Sequence, residues 1–581
     1  MELDQQGAAM TDLADRARIW AERDPDPTTA AELAAIIESG DVDALGEAMG
    51  LPLEFGTAGI RGKVGPGPGH INRAVVIRTT RGVADYLLSK PSPRGDVIIG
   101  FDARPTSRQF AEDAAGVLVA AGIGVRYFPE YAPTPLVAFA AKHYRAEAAI
   151  VVTASHNPPA DNGYKVYDSN AAQIIPPTDA AISDAIKEVG VASEVPRLES
   201  AFSSDHALIE PVPSAIVDNY WAEIDLTRPV KPESTISIVY TPLHGVGGKT
   251  LLDIFSRTVH SRVTPVAAQF EPDGTFPTVA FPNPEEEGAL DLALETGREE
   301  GAALVIGNDP DADRLAAAIP HDGQWRLLTG NELGVILGSH ILRHWNKSET
   351  PITACSVVSS PMLSAIARSS GAHHLTTLTG FKWISNAGLA AEANGEGLFA
   401  FGYEEALGYT VGRTVRDKDG ISAAVLLADV AAIEAAAGRT LLDTLADLWD
   451  EYGIWVSTQE SIIRPGEEGQ SEILAAVDHV ATNPPGKIGG HDVTDLVDYR
   501  LGAEKRPPWL GEQHLVELSI GEAGRVLVRP SGTEPKLKVY VDLRAPTSVR
   551  DRIHDERDRL LASAEKAARE VSGILTRVIE T

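Results

Sequence analysis

The 581-residue sequence contains one cysteine, Cys355, and this scarcity excludes two classes of protein. A single thiol can form neither an intramolecular disulfide framework nor a zinc site built on cysteine ligands. One isolated cysteine is typical of a protein that stays in a reducing compartment. We therefore expect a cytoplasmic location.

Positive charge and long apolar runs are also scarce. The chain has 51 Lys and Arg residues against 82 Asp and Glu residues, a formal net charge of -31. Such a balance disfavours non-specific binding to nucleic acid or to anionic membranes. The first residues, MELDQQGAAMTDLADRARIW, show no signal-peptide pattern, and no run approaches the roughly 18 apolar residues of a membrane span. We expect neither nucleic-acid nor membrane partners, and an anionic substrate would need a locally basic pocket.

The order of the segments predicts an α/β fold. After a helical start at residues 11–49, broken near Pro25 and Pro27, three segments share one pattern, and they read DVIIGFDARPTSRQF, ISIVYTPLHGVGGKT and ITACSVVSSPMLSAI. Each begins with an apolar strand, continues through a Pro or Ser turn and ends in a helix. We predict three tandem α/β domains with mixed sheets. Beyond Ile454 the pattern changes to strands with a long connection and a helix from Ser548 to about Thr576, which predicts an α+β domain.

The length agrees with this division, since roughly 150 residues per domain gives about four domains. We place the boundaries at 1–215, 216–333, 334–453 and 454–581. The first domain includes the helical extension.

The segment VVTASHNPPADNGYKVY places the hydroxyl of Ser155 directly after the apolar run Ala148–Val152. A buried strand would hold the backbone, and the following Asn-Pro-Pro turn prevents a helix. His156 and Lys165 supply polar and cationic groups close to the hydroxyl, as a nucleophile requires. The alternative is an ordinary turn serine.

A second loop, GNDPDADRLA, alternates carboxylates at Asp309, Asp311 and Asp313 after another apolar run. Alternation in a non-helical loop can direct three carboxylates at one hard cation. An EF-hand is excluded, because its sixth position is Arg314 and its twelfth is Pro320. Three carboxylates leave coordination positions for phosphate or water, which suits Mg²⁺. An Asp-rich surface loop is the alternative, but the adjacent Arg314 favours an anion site.

The same loop also allows a phosphatase. There Asp309 would be the nucleophile and Asp311 the acid. A phosphatase of this kind would give no role to Asp313 or to the Ser155 loop. We therefore rank it behind a serine nucleophile beside a Mg²⁺ site.

Near the start of the chain, EFGTAGIRGKVGPG contains Gly56, Gly59 and Gly62 around Arg61. Closely spaced glycines let backbone N–H groups approach an anion, and Arg61 adds a fork of donors. The similar-looking GVGGKT segment is not a P-loop, because the first glycine of that motif would fall on Leu243.

Two later segments suit a sugar. TLTGFKW places Lys382 after a glycine turn, and FGYEEALGY carries the pair Glu404 and Glu405. Carboxylates accept hydrogen bonds from vicinal sugar hydroxyls. A glycosidase is disfavoured, because its two carboxylates must flank the scissile bond and adjacent residues cannot readily do so. An exposed Glu pair remains the alternative.

The segment RPSGTEPKLK offers a phosphate site. The sequence predicts a tight turn surrounded by a guanidinium, two hydroxyls and exposed N–H groups. These groups belong to Arg529, Ser531, Gly532 and Thr533. Charge-assisted and neutral hydrogen bonds together bind phosphate well.

Taken in order, TASHNPPADNGYK, DPDADR, GYEEALGY and RPSGTEP resemble the α-D-phosphohexomutase superfamily of phosphoglucomutases and phosphomannomutases, from about Phe55 to Asp542. Many phosphoglucomutases read Gly-Glu-Glu-Ser where this chain has Tyr403-Glu404-Glu405-Ala406. This departure, and the length, resemble the long branch with phosphopentomutase-like and sugar-bisphosphate-forming members.

The resemblance implies a heart-shaped molecule with its active site in a central cleft. Ser155 would be the phosphoserine, and one of its phosphate oxygens would join Asp309, Asp311 and Asp313 in holding one Mg²⁺ per subunit. The phosphoryl group would be surrounded by Arg61, His156, Lys165 and Arg314. Lys382 would lie near the sugar, Glu404 and Glu405 would hold its hydroxyls, and the loop from Arg529 to Thr533 would bind the distal phosphate.

The implied activity is an isomerase, an intramolecular phosphotransferase that interconverts hexose 1-phosphate and hexose 6-phosphate, of glucose or mannose. It would proceed through a bisphosphate, with a sugar bisphosphate as activator and a small-molecule phosphosugar as the partner. A phosphopentomutase acting on ribose phosphates, a sugar-bisphosphate synthase and a non-catalytic sugar-phosphate binder remain alternatives. Monomer and homodimer both remain open.

Overall fold

The computed structural model describes residues 2–56, 59–91, 95–531, 536–546 and 552–579. They form two compact units. The first consists of Met1–Arg228, Glu233–Leu327 and Gly408–Ala428, and the second of Pro229–Pro232, Leu328–Leu407 and Asp429–Thr581.

The first unit begins with the predicted helical extension, which is three helices. Asp26 and Asp41 cap the second and third, since their side chains accept hydrogen bonds from the backbone N–H groups of Thr28 and Ala44. The helices are α1 (Glu2–Glu22), α2 (Pro27–Ser39) and α3 (Val42–Met49).

A six-stranded mixed sheet follows, in the order β1-β5-β4-β2-β3-β6. Its two central strands are buried at every residue, so both faces are covered. In chain order the elements are β1 (Ile60–Lys63), α4 (Arg73–Ser89), β2 (Val97–Phe101), α5 (Ser107–Ala120), β3 (Val125–Tyr127), α6 (Thr134–Tyr144), β4 (Ala148–Val152), β5 (Asp161–Tyr167), α7 (Thr178–Glu188) and β6 (Ile209–Pro211). Strands β2, β3, β4 and β6 run parallel, whereas β5 runs antiparallel to β4 and β1.

A second mixed sheet has the order β11-β10-β9-β7-β8. Strand β7 pairs in parallel with β8 and β9, and β10 runs antiparallel to β9. Its elements are α8 (Ile216–Thr227), β7 (Ile238–Thr241), α9 (Gly248–Ser256), β8 (Val263–Pro265), α10 (Ala267–Phe270), α11 (Asp291–Glu299), β9 (Leu304–Gly307), β10 (Ala316–His321) and β11 (Gln324–Leu328).

The third α/β segment is built around β12, which pairs in parallel with β13 and β14. Its elements are α12 (Gly330–Arg343), β12 (Pro351–Ser356), α13 (Met362–Ser369), β13 (His373–Thr377), α14 (Phe381–Ala393), β14 (Leu398–Glu404), β15 (Gly408–Val411), α15 (Gly420–Ala436) and α16 (Leu441–Tyr452).

The last segment is α+β, as predicted. An antiparallel sheet has the order β16-β22-β21-β20-β19. Its elements are β16 (Ile454–Ile463), α17 (Gly466–Thr482), β17 (Lys487–Ile488), β18 (His491–Asp492), β19 (Asp495–Asp498), β20 (Val516–Ser519), β21 (Gly524–Pro530), β22 (Lys536–Ala545) and α18 (Ile553–Ile579). Ser548, where we predicted the last helix to begin, lies outside the described residues.

The predicted fold class is confirmed, and so are the three strand–turn–helix units, which are β2–α5, β7–α9 and β12–α13. Among the described residues, no single helix combines the length and apolar composition of a membrane span. Only α15 and α16 taken together, with a 90° bend between them, reach that composition.

Two histidines with lowered pKa values make the second unit sensitive to acid. Burial, assisted by neighbouring His344, lowers the pKa of His340 to about 4, and burial with His373 and Arg368 does the same for His374. Because their folded pKa values lie below about 6.5, the unfolded chain takes up these protons first as the pH falls. Each neutral histidine therefore supports folding above pH 6.5, and this support is lost progressively down to about pH 4.

We expect each histidine to lower the free energy of unfolding by about 2 kcal/mol between pH 7 and pH 5. Urea denaturation followed by tryptophan fluorescence at both pH values measures this change. His374→Gln should remove about half of the total change, and the double variant with His340→Gln should remove nearly all of it. A double variant with the same pH dependence as the unchanged protein would contradict the assignment.

Candidate active site

The loop between β4 and β5 presents Ser155 in a strained conformation. Its φ of 51° lies in the left-handed region, which a serine adopts at an energetic cost and which recurs at functional loops. The backbone N–H donates to Thr153 Oγ1 at 2.8 Å. The hydroxyl donates to Asp309 Oδ2 at 2.6 Å and lies 3.1 Å from His156 Nδ1. The predicted nucleophile and the first predicted metal ligand are therefore in contact.

Arg104, on the turn between β2 and α5, fixes the backbone of this loop through hydrogen bonds. Its side chain is buried, pairs with Asp102 at 3.3 Å and donates to four carbonyls of the loop. These are the carbonyls of Ser155 (2.8 Å), Asn157 (2.6 Å), Pro158 (2.6 Å) and Asp161 (2.7 Å). A planar guanidinium offers five donors in a fixed fork, so one residue fixes the backbone at Ser155 and along the turn that follows it.

The loop after β9 carries the three aspartates. All three are buried, and one oxygen of each lies within 4.8 Å of the others. Ala312, between the last two, has a φ of 58°, so this loop is also bent through the left-handed region. The backbone N–H of Arg314 donates to Asp309 Oδ1 at 3.0 Å and closes the turn.

Two lysines neutralise part of this negative charge. Lys165 Nζ lies 2.8 Å from Asp311 Oδ2 and 3.1 Å from Asp313 Oδ2, and Lys418 Nζ lies 3.0 Å from Asp313 Oδ2. Burial alone would lower the pKa of Lys165, but the two aspartates outweigh it and raise that pKa. Burial would likewise raise the pKa of Asp313, yet the two lysines hold it well below its usual range.

The remaining carboxylate atoms fit a divalent cation. Asp311 Oδ1 and Asp313 Oδ1 are buried and accept no hydrogen bond from the described residues. Burial and the two neighbouring carboxylates raise the pKa of Asp309 well above its usual range. An ion held at about 2.1 Å separates opposite ligand oxygens by about 4.2 Å, which this cluster accommodates. The triad could hold a metal ion.

Arg61 and His156 complete the surroundings of Ser155. Arg61, on β1, donates from Nη1 to Asn157 Oδ1 at 3.0 Å. Burial, followed by the charges of Arg314 and Arg61, lowers the pKa of His156 well below its usual range, so this ring is neutral near pH 7. A phosphate on Ser155 would therefore meet guanidinium groups and a neutral imidazole.

We predicted that the N–H groups of the glycines beside Arg61 approach an anion, but two of these groups are already hydrogen-bonded. The N–H groups of Gly56 and Gly59 donate to each other's carbonyls, so they are engaged within the turn. A Cβ on Gly59 would come 1.9 Å from the carbonyl oxygen of Tyr164 on β5. This close approach, at a φ of 78°, requires glycine.

In the second unit, Glu405 follows β14 and is held by two serines. Its Oε2 accepts from Ser356 Oγ at 3.1 Å and Ser359 Oγ at 3.4 Å, and its N–H donates to Ser359 Oγ at 3.1 Å. Glu404, the last residue of β14, is half-buried. Lys382 lies in the first turn of α14.

The predicted phosphate loop also belongs to the second unit. Arg529 lies near the end of β21, and its Nε donates to the carbonyl of Pro530 at 3.1 Å. The N–H of Ser531 donates to the carbonyl of Lys536, the first residue of β22, at 2.7 Å. Gly532 and Thr533 lie outside the described residues.

Our sequence reasoning missed three residues of the first unit, namely Arg104, Lys418 and Thr134. Thr134 Oγ1 donates to Asp311 Oδ2 at 2.7 Å. The available signals were the Asp-x-Arg that follows β2 and the charged run RDKDG at residues 416–420. Neither pattern by itself shows which loop its residues contact.

Profiles of four domains match in order along the chain. They are the phosphoglucomutase/phosphomannomutase α/β/α domains I, II and III at residues 52–191, 217–323 and 329–452, and the C-terminal domain at 509–560. The chain belongs to the phosphoglucomutase/phosphomannomutase family. The predicted α-D-phosphohexomutase superfamily is thereby confirmed.

Two relatives extend the similarity over nearly the whole length. A Haemophilus influenzae protein named "Probable phosphomannomutase" is 38% identical over 511 residues, covering 86% of this chain and 97% of that protein. The mouse phosphopentomutase is 34% identical over 580 residues, covering 94% and 93%. In fold, the chain matches the open form of a Paramecium phosphoglucomutase with a TM-score of 0.66, at 18% identity, covering 90% and 95%.

Membership of this family makes the chain a phosphosugar mutase, an isomerase that transfers phosphate within its substrate. The activity predicted from the motifs is confirmed at this level. The substrate sugar is a separate question, because members named for hexoses and for pentoses are both similar.

Replacing Arg104 tests whether the backbone of the serine loop must be held. We expect Arg104→Met to lower kcat about 100-fold with little change in KM, because a displaced hydroxyl loses its alignment. Steady-state mutase assays measure this, with Arg108→Ala as the matched control, since exposed Arg108 donates to the carbonyl of Pro129 and contacts no part of the serine loop. Arg104→Lys keeps the positive charge but loses the planar set of guanidinium donors, so it should be little more active than Arg104→Met. Full activity in Arg104→Met would contradict the role.

Proposed function

We propose that this enzyme interconverts the 1-phosphate and 6-phosphate of glucose or mannose through a phosphoserine at Ser155. The observation that carries the proposal is the 2.6 Å contact between Ser155 Oγ and Asp309 Oδ2, beside two further buried carboxylates. A serine that is to carry phosphate needs a metal site within reach of the phosphate oxygens, and this pair supplies it.

Transfer begins with phosphoserine 155 and a sugar monophosphate. A free sugar hydroxyl attacks the phosphorus and loses its proton as the bond from phosphorus to Ser155 Oγ breaks. The serine oxygen takes up one proton in exchange, and His156, 3.1 Å from it, is the group that can pass this proton. The sugar is then a bisphosphate. After it reorients, its other phosphate returns to Ser155, so the product is the isomeric monophosphate and the enzyme is again phosphorylated. No external phosphate donor is consumed.

The surrounding cations stabilise the charge that spreads over the transferred group. We expect Arg61 and Arg314 to bind its oxygens. His156 Nδ1 lies 3.1 Å from the Ser155 hydroxyl, and Lys165 donates to Asp311 next to it in the proposed metal site. Phosphoryl transfer depends mainly on such positioning and charge neutralisation.

We propose that Asp309, Asp311 and Asp313, with an oxygen of phosphoserine 155, hold one Mg²⁺ per subunit. When bound, the ion neutralises negative charge on the transferred phosphoryl group. The two buried oxygens without hydrogen bonds support this ligand set.

The second unit would bind the rest of the substrate. We assign sugar hydroxyls to Glu404 and Glu405, and a position near the sugar to Lys382. We assign the distal phosphate to Arg529, Ser531, Gly532 and Thr533. A sugar bisphosphate would serve as activator by phosphorylating Ser155 of an enzyme that had lost its phosphate.

The domain boundaries, the location and the oligomeric state are also part of the proposal. We divide the chain into four domains at 1–215, 216–333, 334–453 and 454–581, and we expect a cytoplasmic monomer or homodimer. The single cysteine supports this location.

Phosphorylation of Ser155 is the central prediction. Intact-mass analysis of the purified enzyme should show a fraction that is heavier by one phosphate, with peptide mapping placing it on Ser155. Ser155→Ala should lose the added mass and at least about 1,000-fold in kcat, because the phosphate carrier is gone.

The same experiment separates the proposal from an aspartate-nucleophile phosphatase. In that enzyme Ser155→Ala would retain turnover and the phosphate would be found on Asp309. Ser107→Ala serves as the control, since this buried serine lies outside the proposed site and donates to Asp102 instead.

A second candidate substrate is a pentose phosphate. Two observations favour it: Ala406 stands where many phosphoglucomutases have serine, and the chain is similar to the mouse phosphopentomutase over 94% of its length. A methyl group there offers no hydrogen bond to a sugar hydroxyl.

Replacing Ala406 tests this choice. We expect Ala406→Ser to raise the ratio of kcat/KM for glucose 1-phosphate over ribose 1-phosphate about ten-fold, the usual worth of one added hydrogen bond. Parallel Mg²⁺-dependent assays of both sugar phosphates measure the ratio. Ala406→Cys is the matched control of similar size with a weak donor. If both variants shift the ratio equally, the hydroxyl is not the determinant.

A further inference from the structure

The first unit contains a cavity that lies apart from the proposed catalytic residues. It has a volume of about 480 Å³ and opens between α1, the start of α4 and the segment that follows α7. This volume lies within the usual range for small-molecule sites, roughly 300–1,000 Å³. None of the residues assigned above to catalysis, metal or sugar lines it.

Three arginines line the cavity. Arg16 and Arg23 share a face of the first helical segment with Trp20, since these positions are four and three residues apart, and Arg78 enters from α4. Arg23 is exposed, and its guanidinium forms no hydrogen bond or ion pair with the part of the chain that the structure describes. A cluster of this kind is unexpected in a chain with a net charge of -31.

Arg78 is the most informative of the three. Its Nη2 donates to the carbonyl of Val189 at 3.1 Å, but its Nε is buried and has no hydrogen-bond partner among the described residues. Burial also lowers the pKa of this guanidinium, and no neighbouring carboxylate offsets that cost. A bound anion would supply both the missing acceptor and the missing charge.

One acidic residue, Asp24, lines the cavity, and its carboxylate is used elsewhere. Its Oδ1 accepts from the N–H of Asp26 at 2.9 Å and its Oδ2 from Thr29 Oγ1 at 2.8 Å, which stabilises the turn into α2. Three arginines therefore face one carboxylate in the lining, and the cavity is positive on balance.

The rest of the wall is apolar. Trp20 contributes an aromatic ring, and Met49, Pro68, Val191 and Ala192 contribute aliphatic surface. Such a wall binds the flat or aliphatic body of a ligand, while the arginines bind its anionic end.

We propose that this cavity is a second ligand site, which binds a small organic anion composed of a phosphate group and a flat aromatic body. Nucleoside monophosphates and aryl phosphates have this chemistry. Inorganic phosphate lacks the apolar body, and a nucleoside lacks the anion. The site is separate from the sugar-phosphate site, so the proposal goes beyond the mutase activity and does not depend on it.

The test is calorimetric titration of the full-length protein with AMP and with phenyl phosphate. We expect saturable binding of at least one of them at one site, and much weaker binding of adenosine and of inorganic phosphate. Saturating glucose 1-phosphate should not displace the probe. Absence of saturable binding by both probes, or displacement by glucose 1-phosphate, would overturn the proposal.

Variants locate the bound probe. Arg78→Met should weaken binding about ten-fold, and Arg23→Ala should weaken it to a smaller extent. Arg18→Ala is the matched control, because Arg18 lies on the same helix, pairs with Asp15 and does not line the cavity. Mutase activity should be unchanged in Arg23→Ala. If Arg78→Met fails to fold, exposed Arg23 decides the question, and equal affinities in the Arg18 and Arg23 variants would refute the site.

Discussion

The hydrogen bond from Ser155 to Asp309 joins two loops that lie 154 residues apart in the chain. One loop follows β4 of the first sheet and the other follows β9 of the second, so the site exists only when both sheets are packed in one unit. Each loop is bent through a left-handed residue, Ser155 in one and Ala312 in the other. The surrounding structure must offset that strain, and the four carbonyl contacts of Arg104 show how it does so on the serine side.

The second constraint is charge. Three buried carboxylates repel one another, and burial strengthens that repulsion. Lys165 and Lys418 balance part of it through Asp311 and Asp313, whereas the raised pKa of Asp309 is offset only in part by Arg314, whose Nε lies 4.0 Å from Oδ2. The site is therefore incompletely neutralised by its own side chains, which is the condition under which a divalent cation and a phosphate bind together.

Much of the site was predictable because its residues are close in sequence. The carboxylates of the Asp loop, and Ser155 with His156, occur in short motifs whose spacing alone indicates their chemistry. Arg104 and Lys418 were not predictable in this way. Arg104 acts on backbone carbonyls, which every residue has, so no particular partner residue reveals it. Lys418 reaches Asp313 across more than 100 residues, and a charged run of its kind is usually a solvated surface.

The sequence by itself determined the fold class, the order of strand–turn–helix units and the identity of the chemical groups, since these depend on local periodicity and on side-chain type. Tertiary structure alone decided which groups meet and in what state. Desolvation and the fields of distant charges make His156 neutral and raise the pKa of Asp309, and both effects require neighbours that folding brings together. The arginine-lined cavity against α1 is likewise a product of packing. Arg23 and Arg78 are far apart in the sequence, and only folding brings them to the same cavity.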